Sequence, residues 1–383
     1  MRRSRILPAT SLCLAVALMV VGSLSAALAA GSPDAAPRSS MPADFQAQSM
    51  SWISPQRGWM LGLGQCGQVT CTAVVGTTDG GGTWKTLGTL AAPMTWEEHT
   101  GVTEIRFADR LHGWAFQPGL YSTTNGGRKW IKERPPGGGH LVLALAADSS
   151  AAYAVVSPCR LNRLCKVPAT LWRSTPGQGS WTQVDIALPI INGFNTAILA
   201  VHGTVAYVSV PAPLDGPLGA DELDVTLDGE HWSSRPDPCK PSKGVTLTGL
   251  APISDTKVAL LCQANIGFGK AVKHVLRSKD TGETTRSAGT MPLYGITSQM
   301  TASHDGTLLV ASYSIGSWIY RNASGRTWTT PVDLGDGGMG WNDVVLVTNR
   351  IGYVIHGAYA YCCRGGPGEL WKTEDGGVTW FPV

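Results

Sequence analysis

Residues 77–84 read Thr-Thr-Asp-Gly-Gly-Gly-Thr-Trp, and residues 373–380, at the other end of the chain, read Thr-Glu-Asp-Gly-Gly-Val-Thr-Trp. Both fit the pattern Ser/Thr-x-Asp-x-Gly-x-x-Trp, which we call the box. The pattern suits a tight hairpin turn, because an aspartate side chain accepts hydrogen bonds from nearby backbone N–H groups and glycine adopts positive φ. The tryptophan can pack under the turn, so every element of the box is structural.

The box recurs along the whole chain, in copies that match the pattern to different degrees. Its seven copies end at residues 84, 130, 181, 232, 285, 328 and 380, which are 46, 51, 51, 53, 43 and 52 residues apart. A fixed period of this length is typical of repeat architectures in which each repeat is one supersecondary unit. The residues predicted to hold the better preserved turns are Asp79, Trp84, Asn125, Trp130, Asp228, Trp232, Asp280, Asp375 and Trp380.

A second signal stands in phase with the boxes, 16 to 29 residues before most box ends. It is a small residue followed by an aromatic one, at Gly58-Trp59, Gly113-Trp114, Ala152-Tyr153, Ala206-Tyr207 and Gly352-Tyr353. Residues 101–134 contain four short strand-like runs separated by Gly, Asn and Asp turns, with no helical period. We therefore predict an all-β, seven-bladed β-propeller of four antiparallel strands per blade, with a box turn between the third and fourth strands.

The N-terminal 29 residues predict a signal peptide. Arg2, Arg3 and Arg5 precede an apolar run over residues 11–24, and Ala27-Leu28-Ala29 is a small-x-small cleavage site; cleavage after Ala30 is equally consistent. Residues 30–43 are a polar, Pro-containing linker, and 44–383 form the propeller. The outer strand of the last blade is either Trp-Phe-Pro-Val at the C-terminus or residues 44–48, and the sequence leaves both ring closures open.

Eight cysteines remain after Cys13 in the signal peptide, and an exported chain favours disulfides. Local spacing favours the pairs Cys66–Cys71, Cys159–Cys165, Cys239–Cys262 and Cys362–Cys363. A zinc site is the alternative, but the spacings fit zinc poorly and no histidine stands beside them. We therefore expect no metal and no cofactor.

The charge of the exported chain is balanced. Removal of Arg2, Arg3 and Arg5 leaves 27 basic residues against 27 acidic ones, and no tract of five like charges occurs. Proteins that bind nucleic acid or anionic membranes do so through a strong positive field of their own, and this composition does not supply one. We expect a secreted or cell-wall-associated monomer with no integral membrane segment.

The repeat resembles that of a known protein class. Residues 105–109 (IRFAD), 112–114 (HGW) and 123–130 (TTNGGRKW), with GWMLG and TTDGGGTWKTL in the first repeat, are similar to the bacterial neuraminidase repeat, or Asp-box. Sialidases, sortilin-type receptors and oligoxyloglucan-type glycosidases share it, and the pattern is closest to photosystem II assembly and stability factors. The resemblance covers about residues 45–383 and implies the propeller fold; it does not imply one function, because the fold hosts many.

Catalytic motifs are weak. The resemblance to sialidases would require an arginine in an Arg-Ile-Pro-type motif before the first box, and Arg57 lacks that motif; sialidases also have six blades. Another glycosidase would need two facing carboxylates. The candidates are Glu97, Glu98 and Asp336, with Asp343 near the last, all in or beside connections between blades.

Binding residues are easier to propose. An aromatic or imidazole side chain stands 9 to 13 residues after most box ends, where we expect it either to line the funnel mouth or to pack beneath the loops: Trp96, His140, Phe194, Tyr294 and Trp341. Insertions before the third strands form a second rim, including Tyr361 and Arg364. We predict a non-catalytic binding or assembly scaffold for a protein segment or glycan; the alternatives are an extracellular glycoside hydrolase or lyase, and a structural cell-wall protein.

Overall fold

The computed structural model describes residues 41–42, 44–161, 165–191, 197–210, 223–236, 238–239, 245–323, 325–357 and 368–383. Within these residues lie 28 strands and a single short 3₁₀ turn, Pro136–Gly138. Blades one to four contain β1 (Gln46–Trp52), β2 (Gly58–Cys66), β3 (Val69–Thr77), β4 (Lys85–Leu90); β5 (Glu104–Phe107), β6 (Gly113–Phe116), β7 (Leu120–Thr123), β8 (Ile131–Lys132); β9 (Leu141–Ala147), β10 (Ala152–Ser157), β11 (Thr170–Ser174), β12 (Thr182–Val184); β13 (Ile198–His202), β14 (Val205–Ser209), β15 (Leu223–Thr226) and β16 (Trp232–Arg235).

Blades five to seven follow the same plan. They contain β17 (Thr246–Pro252), β18 (Val258–Gly267), β19 (Lys270–Ser278), β20 (Arg286–Thr290); β21 (Thr297–Ala302), β22 (Leu308–Tyr313), β23 (Ser317–Asn322), β24 (Thr329–Leu334); β25 (Trp341–Leu346), β26 (Gly352–His356), β27 (Glu369–Thr373) and β28 (Phe381–Pro382). Every sheet has four antiparallel strands in chain order. The seven-bladed β-propeller predicted from the repeat is confirmed.

The ring closes between blades seven and one without exchange of a strand. The first strand of each blade contacts the first strand of the next, and the series ends with β25 against β1. The outer strand of blade seven is β28, from the C-terminus, and it pairs with β27. Residues 46–48 belong to β1, the first strand of blade one, so of the two closures left open by the sequence the C-terminal one is correct.

The boxes connect third and fourth strands through a repeated set of hydrogen bonds. In the first box, the Thr77 hydroxyl donates to Asp79 Oδ1 at 2.7 Å and accepts from Gly81 N at 3.0 Å. Asp79 also accepts from the backbone N–H and the hydroxyl of Thr83, at 2.9 and 2.6 Å. These Thr83 bonds, the one from its side chain first, lower the pKa of Asp79 to about 2. The pattern recurs around Asn125, Asp280 and Asp375.

The two sequence signals meet at the joints between blades. Trp59, from the small–aromatic pair of blade one, stacks on Phe107 of blade two at a ring distance of 3.9 Å. Its Nε1 donates to the carbonyl oxygen of Gly126, inside the box of blade two, at 3.1 Å. Trp130 of that box packs edge-on against Phe107. Trp59 therefore links blade one to the box turn of blade two.

Antiparallel order places the loops on two faces of the ring. Turns between first and second strands and the boxes share one face, which we call the turn face. Hairpins between second and third strands and the connections from blade to blade share the other, the connection face. Disulfides join Cys66–Cys71 and Cys159–Cys165 in hairpins of the connection face, and Cys239–Cys262 ties a blade connection to β18. No helix among the described residues is long and apolar enough to cross a membrane.

Candidate functional site

The acids proposed for catalysis have different environments. Glu97 and Glu98 are exposed in the connection between β4 and β5. Asp336, in the connection between β24 and β25, is 10% exposed and lies 2.6 Å from Nε2 of His356. Burial raises the pKa of the Asp336 carboxyl, but hydrogen bonds from His356, Ser317 and Gly338 outweigh it, so the net shift is downward. An ionised, hydrogen-bonded carboxylate of this kind is a poor general acid.

Trp341 and Tyr294, predicted together for the rim, have different environments. Trp341 is 1% exposed and packs against His356 and Trp371, with ring distances of 4.6 and 6.0 Å. Its predicted role as a surface contact is therefore corrected: it packs beneath the loops, which was the second possibility. Tyr294 is 46% exposed and stacks on Trp318 at 5.4 Å. Phe194, Tyr361, Arg364, Cys362 and Cys363 lie outside the described residues.

A basic group converges on the connection face beside Trp96. His99 follows Trp96 in the first blade connection, and its ring lies 6.5 Å from that of His140 in the second. Arg160, in the hairpin stiffened by Cys159–Cys165, is near enough that burial, Arg160 and His140 together lower the pKa of His99. Three exposed hydrogen-bond donors from three consecutive segments can receive a carboxylate or another acidic group. The sequence indicated Trp96 and His140 but not their neighbours.

An apolar patch occupies the connection face of blades five and six. It consists of exposed side chains from the tip of the β18–β19 hairpin, the β20–β21 connection and the tip of the β22–β23 hairpin: Ile266, Phe268, Leu293, Tyr294, Ile296 and Ile315. The three segments contact one another, because the carbonyl oxygen of Gly269 accepts from Gly295 N at 3.0 Å and from the Ser314 hydroxyl at 2.8 Å. Phe268 is 97% exposed. Exposed apolar clusters of this kind mark interaction surfaces.

A buried lysine holds this patch in shape. Lys273 is fully buried, and its Nζ donates to the carbonyl oxygens of Leu293, Tyr294 and Gly295 at 3.0, 2.8 and 2.9 Å. Burial lowers the pKa of Lys273 to about 8, while the carbonyl oxygens favour the charged form. Lys273 thus holds in place the β20–β21 connection, which carries three of the six apolar side chains.

A charged cluster joins three blades on the strands that line the central channel. The Ser49 hydroxyl of β1 lies 3.0 Å from Glu104 Oε2 of β5 and 2.6 Å from Asp343 Oδ2 of β25. Arg106 lies 3.2 Å from Glu104 and 3.0 Å from Asp343. Burial, and then the charge of Asp343, raise the pKa of Glu104 to about 7, against the opposing effect of Arg106. We call these four residues the seam cluster.

The seam cluster is well suited to joining blades. Both carboxylates are occupied by Ser49 and Arg106, and Asp343 also accepts from the backbone N–H of Met50 at 2.8 Å. Asp343 has φ of 45°, a conformation that costs energy in a non-glycine residue.

Within the described part of the chain, no group of three or more His, Cys, Asp or Glu side chains could hold a metal ion.

Comparisons with known proteins identify the fold and nothing finer. No family model and no curated protein sequence matches the chain. Similar solved structures include YCF48 bound to D1 peptide, with 17% identity, 73% of this chain and 79% of that chain covered, and a TM-score of 0.45. The α-L-arabinofuranosidase Arb93a from Fusarium graminearum has 12% identity, coverages of 86% and 92%, and a TM-score of 0.48.

The acylaminoacyl peptidase from Pyrococcus horikoshii has 9% identity over 88% of this chain and 52% of that chain, with a TM-score of 0.53. At identities this low the similarity concerns the fold alone. The chain is a seven-bladed propeller, and its function has to be argued from its own residues.

Proposed function

We propose that the protein is an exported, non-catalytic binding protein that recognises a protein segment on its connection face. The observation that carries the proposal is the apolar patch, whose six exposed side chains come from three segments in mutual contact. Because Lys273 and the Gly269 carbonyl fix those segments, binding costs little ordering entropy. A rigid apolar surface of this kind favours a protein segment over a glycan, which is held by flat aromatic rings and many polar groups.

The chemistry of the patch specifies the segment further. Its three segments, residues 264–271, 291–296 and 312–316, contain no aspartate or glutamate and one lysine, Lys270. Among the described residues no carboxylate lies within 4 Å of the Lys270 ammonium, which lies 5.3 Å from the Tyr294 ring centre. A partner segment with two or three apolar side chains next to a carboxylate would match both features. The group formed by His99, His140 and Arg160 would receive a second acidic residue of the same partner.

Selection of random peptides on the purified protein tests the proposal. We expect enriched peptides to combine apolar and acidic residues, and the double variant Phe268→Ser, Ile315→Ser to weaken their binding at least tenfold. Leu227→Ser is the matched control, because Leu227 is a 54% exposed apolar residue in a box turn on the opposite face. Peptides that bind the double variant and the parent equally would refute the proposal.

One observation supports the alternative, a glycoside hydrolase. Glu104, with its pKa near 7, and Asp343 lie close together in the central channel, as a catalytic pair would. A panel of fluorogenic glycosides and polysaccharides tests this alternative. Turnover that disappears in Glu104→Gln or Asp343→Asn would favour the hydrolase over the binding protein.

A further inference from the structure

Four cations surround one recess on the turn face, where blades five and six meet. The recess is lined by residues from the end of β19, the box of blade five, the start of β20 and the box of blade six: Arg277, Lys279, Thr284, Arg286, Ser287, Ala288, Gly325 and Arg326. No carboxylate is among these lining residues. Residues 30–383 have balanced charge, so this concentration of positive charge is a local feature that composition does not reveal.

The cations are not neutralised within the described part of the chain. No aspartate or glutamate there lies within 4 Å of the charged groups of Arg277, Lys279, Arg286 or Arg326. The nearby box carboxylate, Asp280, is occupied by the backbone N–H and the hydroxyl of Thr284, at 2.9 and 2.6 Å. Like charges held together repel one another, and a bound anion removes that cost.

Arg277 gives the recess a fixed element. Its guanidinium donates to the carbonyl oxygen of Gly306 at 2.7 Å and to Asn322 Oδ1 at 2.9 Å. Its Nε is buried without a hydrogen-bond partner, and burial lowers the pKa of Arg277. The other three cations are exposed and can close on a ligand, with the Ser287 hydroxyl beside them.

We propose that this recess binds the phosphate or sulfate ester groups of an anionic polymer. Tetrahedral oxyanions accept several charge-assisted hydrogen bonds at once, and arginine presents paired donors that fit them. Two exposed arginines, a lysine and an anchored arginine around one recess suit a repeated ester group, and its open side leaves room for the polymer chain. The site is on the face opposite the apolar patch, so it is independent of the proposed function.

The fold supplies a matched control between blades one and two. Lys85 and Arg128 stand where Arg286 and Arg326 stand, at the start of the fourth strand and in the next box. The blades approach closely at both joints, since a Cβ on Gly88 would collide with the Arg128 carbonyl, as one on Gly289 would with that of Arg326. In the first joint, however, Gly76 and Thr78 replace Arg277 and Lys279.

The experiment measures binding of residues 30–383, which retain the whole propeller, to dextran sulfate, dextran phosphate, carboxymethyl dextran and uncharged dextran at several salt concentrations. We expect the sulfated polymer, the phosphorylated polymer or both to bind. Arg286→Gln with Arg326→Gln should weaken that binding at least tenfold and flatten its salt dependence, because two charge contacts are lost. Lys85→Gln with Arg128→Gln should change it less than twofold. All four side chains are exposed, so neither pair of substitutions should alter the melting temperature.

The result also identifies which ester is preferred, because the sulfated and phosphorylated polymers are separate arms. Equal losses in the two double variants would overturn the proposal in favour of diffuse attraction by surface charge. Absence of binding to both polymers at low salt would overturn it as well. Equally tight, equally sensitive binding of carboxymethyl dextran would show that the recess does not select tetrahedral oxyanions.

Discussion

The hydroxyl of Tyr353, in blade seven, donates a hydrogen bond of 2.8 Å to the carbonyl oxygen of Gly80, in the box of blade one. These residues are 273 positions apart, and the bond spans the joint where the ring closes. Tyr353 is fully buried and also stacks on Trp52 at 3.8 Å. The closing joint is thus built like the joint between blades one and two, from an aromatic residue of one blade and the box of the next.

The first prediction concerns that hydrogen bond. Tyr353→Phe leaves the ring stacking intact but leaves the Gly80 carbonyl without this donor, so we expect a loss of about 1–2 kcal/mol in the free energy of unfolding. Tyr207→Phe is the control, because Tyr207 is equally buried but its hydroxyl has no hydrogen-bond partner. Denaturant unfolding should show Tyr207→Phe unchanged or stabilised. Equal effects of the two substitutions would contradict the role assigned to the Tyr353 hydroxyl.

The second prediction separates two tryptophans that occupy the same place in the box. Trp84 is 4% exposed and packs edge-on against Trp52 at 5.7 Å, whereas Trp380 is only partly buried. Trp84→Ala should therefore cost about 3–5 kcal/mol, and Trp380→Ala clearly less, since less apolar surface returns to water. Thermal unfolding of both variants checks the order. A smaller loss for Trp84→Ala than for Trp380→Ala would be inconsistent with burial as the cause.

The third prediction concerns the disulfides. Cys239–Cys262 closes a loop with a sequence separation of 23 and both of its cysteines are buried, whereas Cys66–Cys71 closes one of 5 at a hairpin tip. A longer loop constrains the unfolded chain more, so replacing both cysteines by alanine should cost about 3 kcal/mol for the first pair and about 2 kcal/mol for the second. Melting temperatures of the two double variants measure the difference. The reverse order would show that loop closure is not the dominant contribution.

The boxes were predictable because their interactions are local. Thr77, Asp79, Gly81 and Thr83 are within seven residues of one another, and their hydrogen bonds depend on residue type and spacing alone. Seven such turns at intervals of about 50 residues determine the number of blades and the strand before and after each turn. The three described disulfides were predictable for the same reason, since short spacings left few pairings.

The seam cluster was not predictable, because ring closure brings its members together. Arg106 and Asp343 are 237 positions apart. In the sequence, Arg106 is only one residue of a repeated strand. The sequence positions place Asp343 near Asp336, but the Asp336 side chain lies against His356 instead. The register shift between Asn342 and Val344 in β25 changes which side chains face which side, and no sequence signal indicated it. Trp341, beside that shift, is buried, which is the second of the two environments that its spacing left open.

The basic recess could not be predicted from the sequence, for a related reason. Arg277 and Arg326 belong to different blades and are separated by 49 positions, so no run of positive charge marks them. The repeat period predicts which residues form each box turn. Which residues of the next blade contact that turn depends on how closely the blades pack. Sites at joints between blades are therefore the part of a propeller that a single sequence describes least well.

The last prediction concerns pH. The pKa of Glu104 is raised from 4.5 to about 7 in the folded protein, so between these values the folded state binds more protons than the unfolded state. Stability from this group is therefore fully present below about pH 4.5 and is lost as the pH rises through 7. Because 26% of the side chain is exposed, we expect a loss on the order of 2 kcal/mol across that window.

Glu104→Gln isolates this contribution from those of the other ionisable groups. Glutamine keeps the shape and cannot ionise, so the difference in unfolding free energy between parent and variant should change by the same amount from pH 4.5 to pH 8, with the variant relatively more stable at the higher pH. Glu98→Gln, an exposed carboxylate on a blade connection, is the control and should leave the profile parallel to that of the parent. A Glu104→Gln profile parallel to the parent would mean that Arg106 keeps Glu104 ionised throughout, and that the joint between blades one, two and seven is a permanent ion pair with no response to pH.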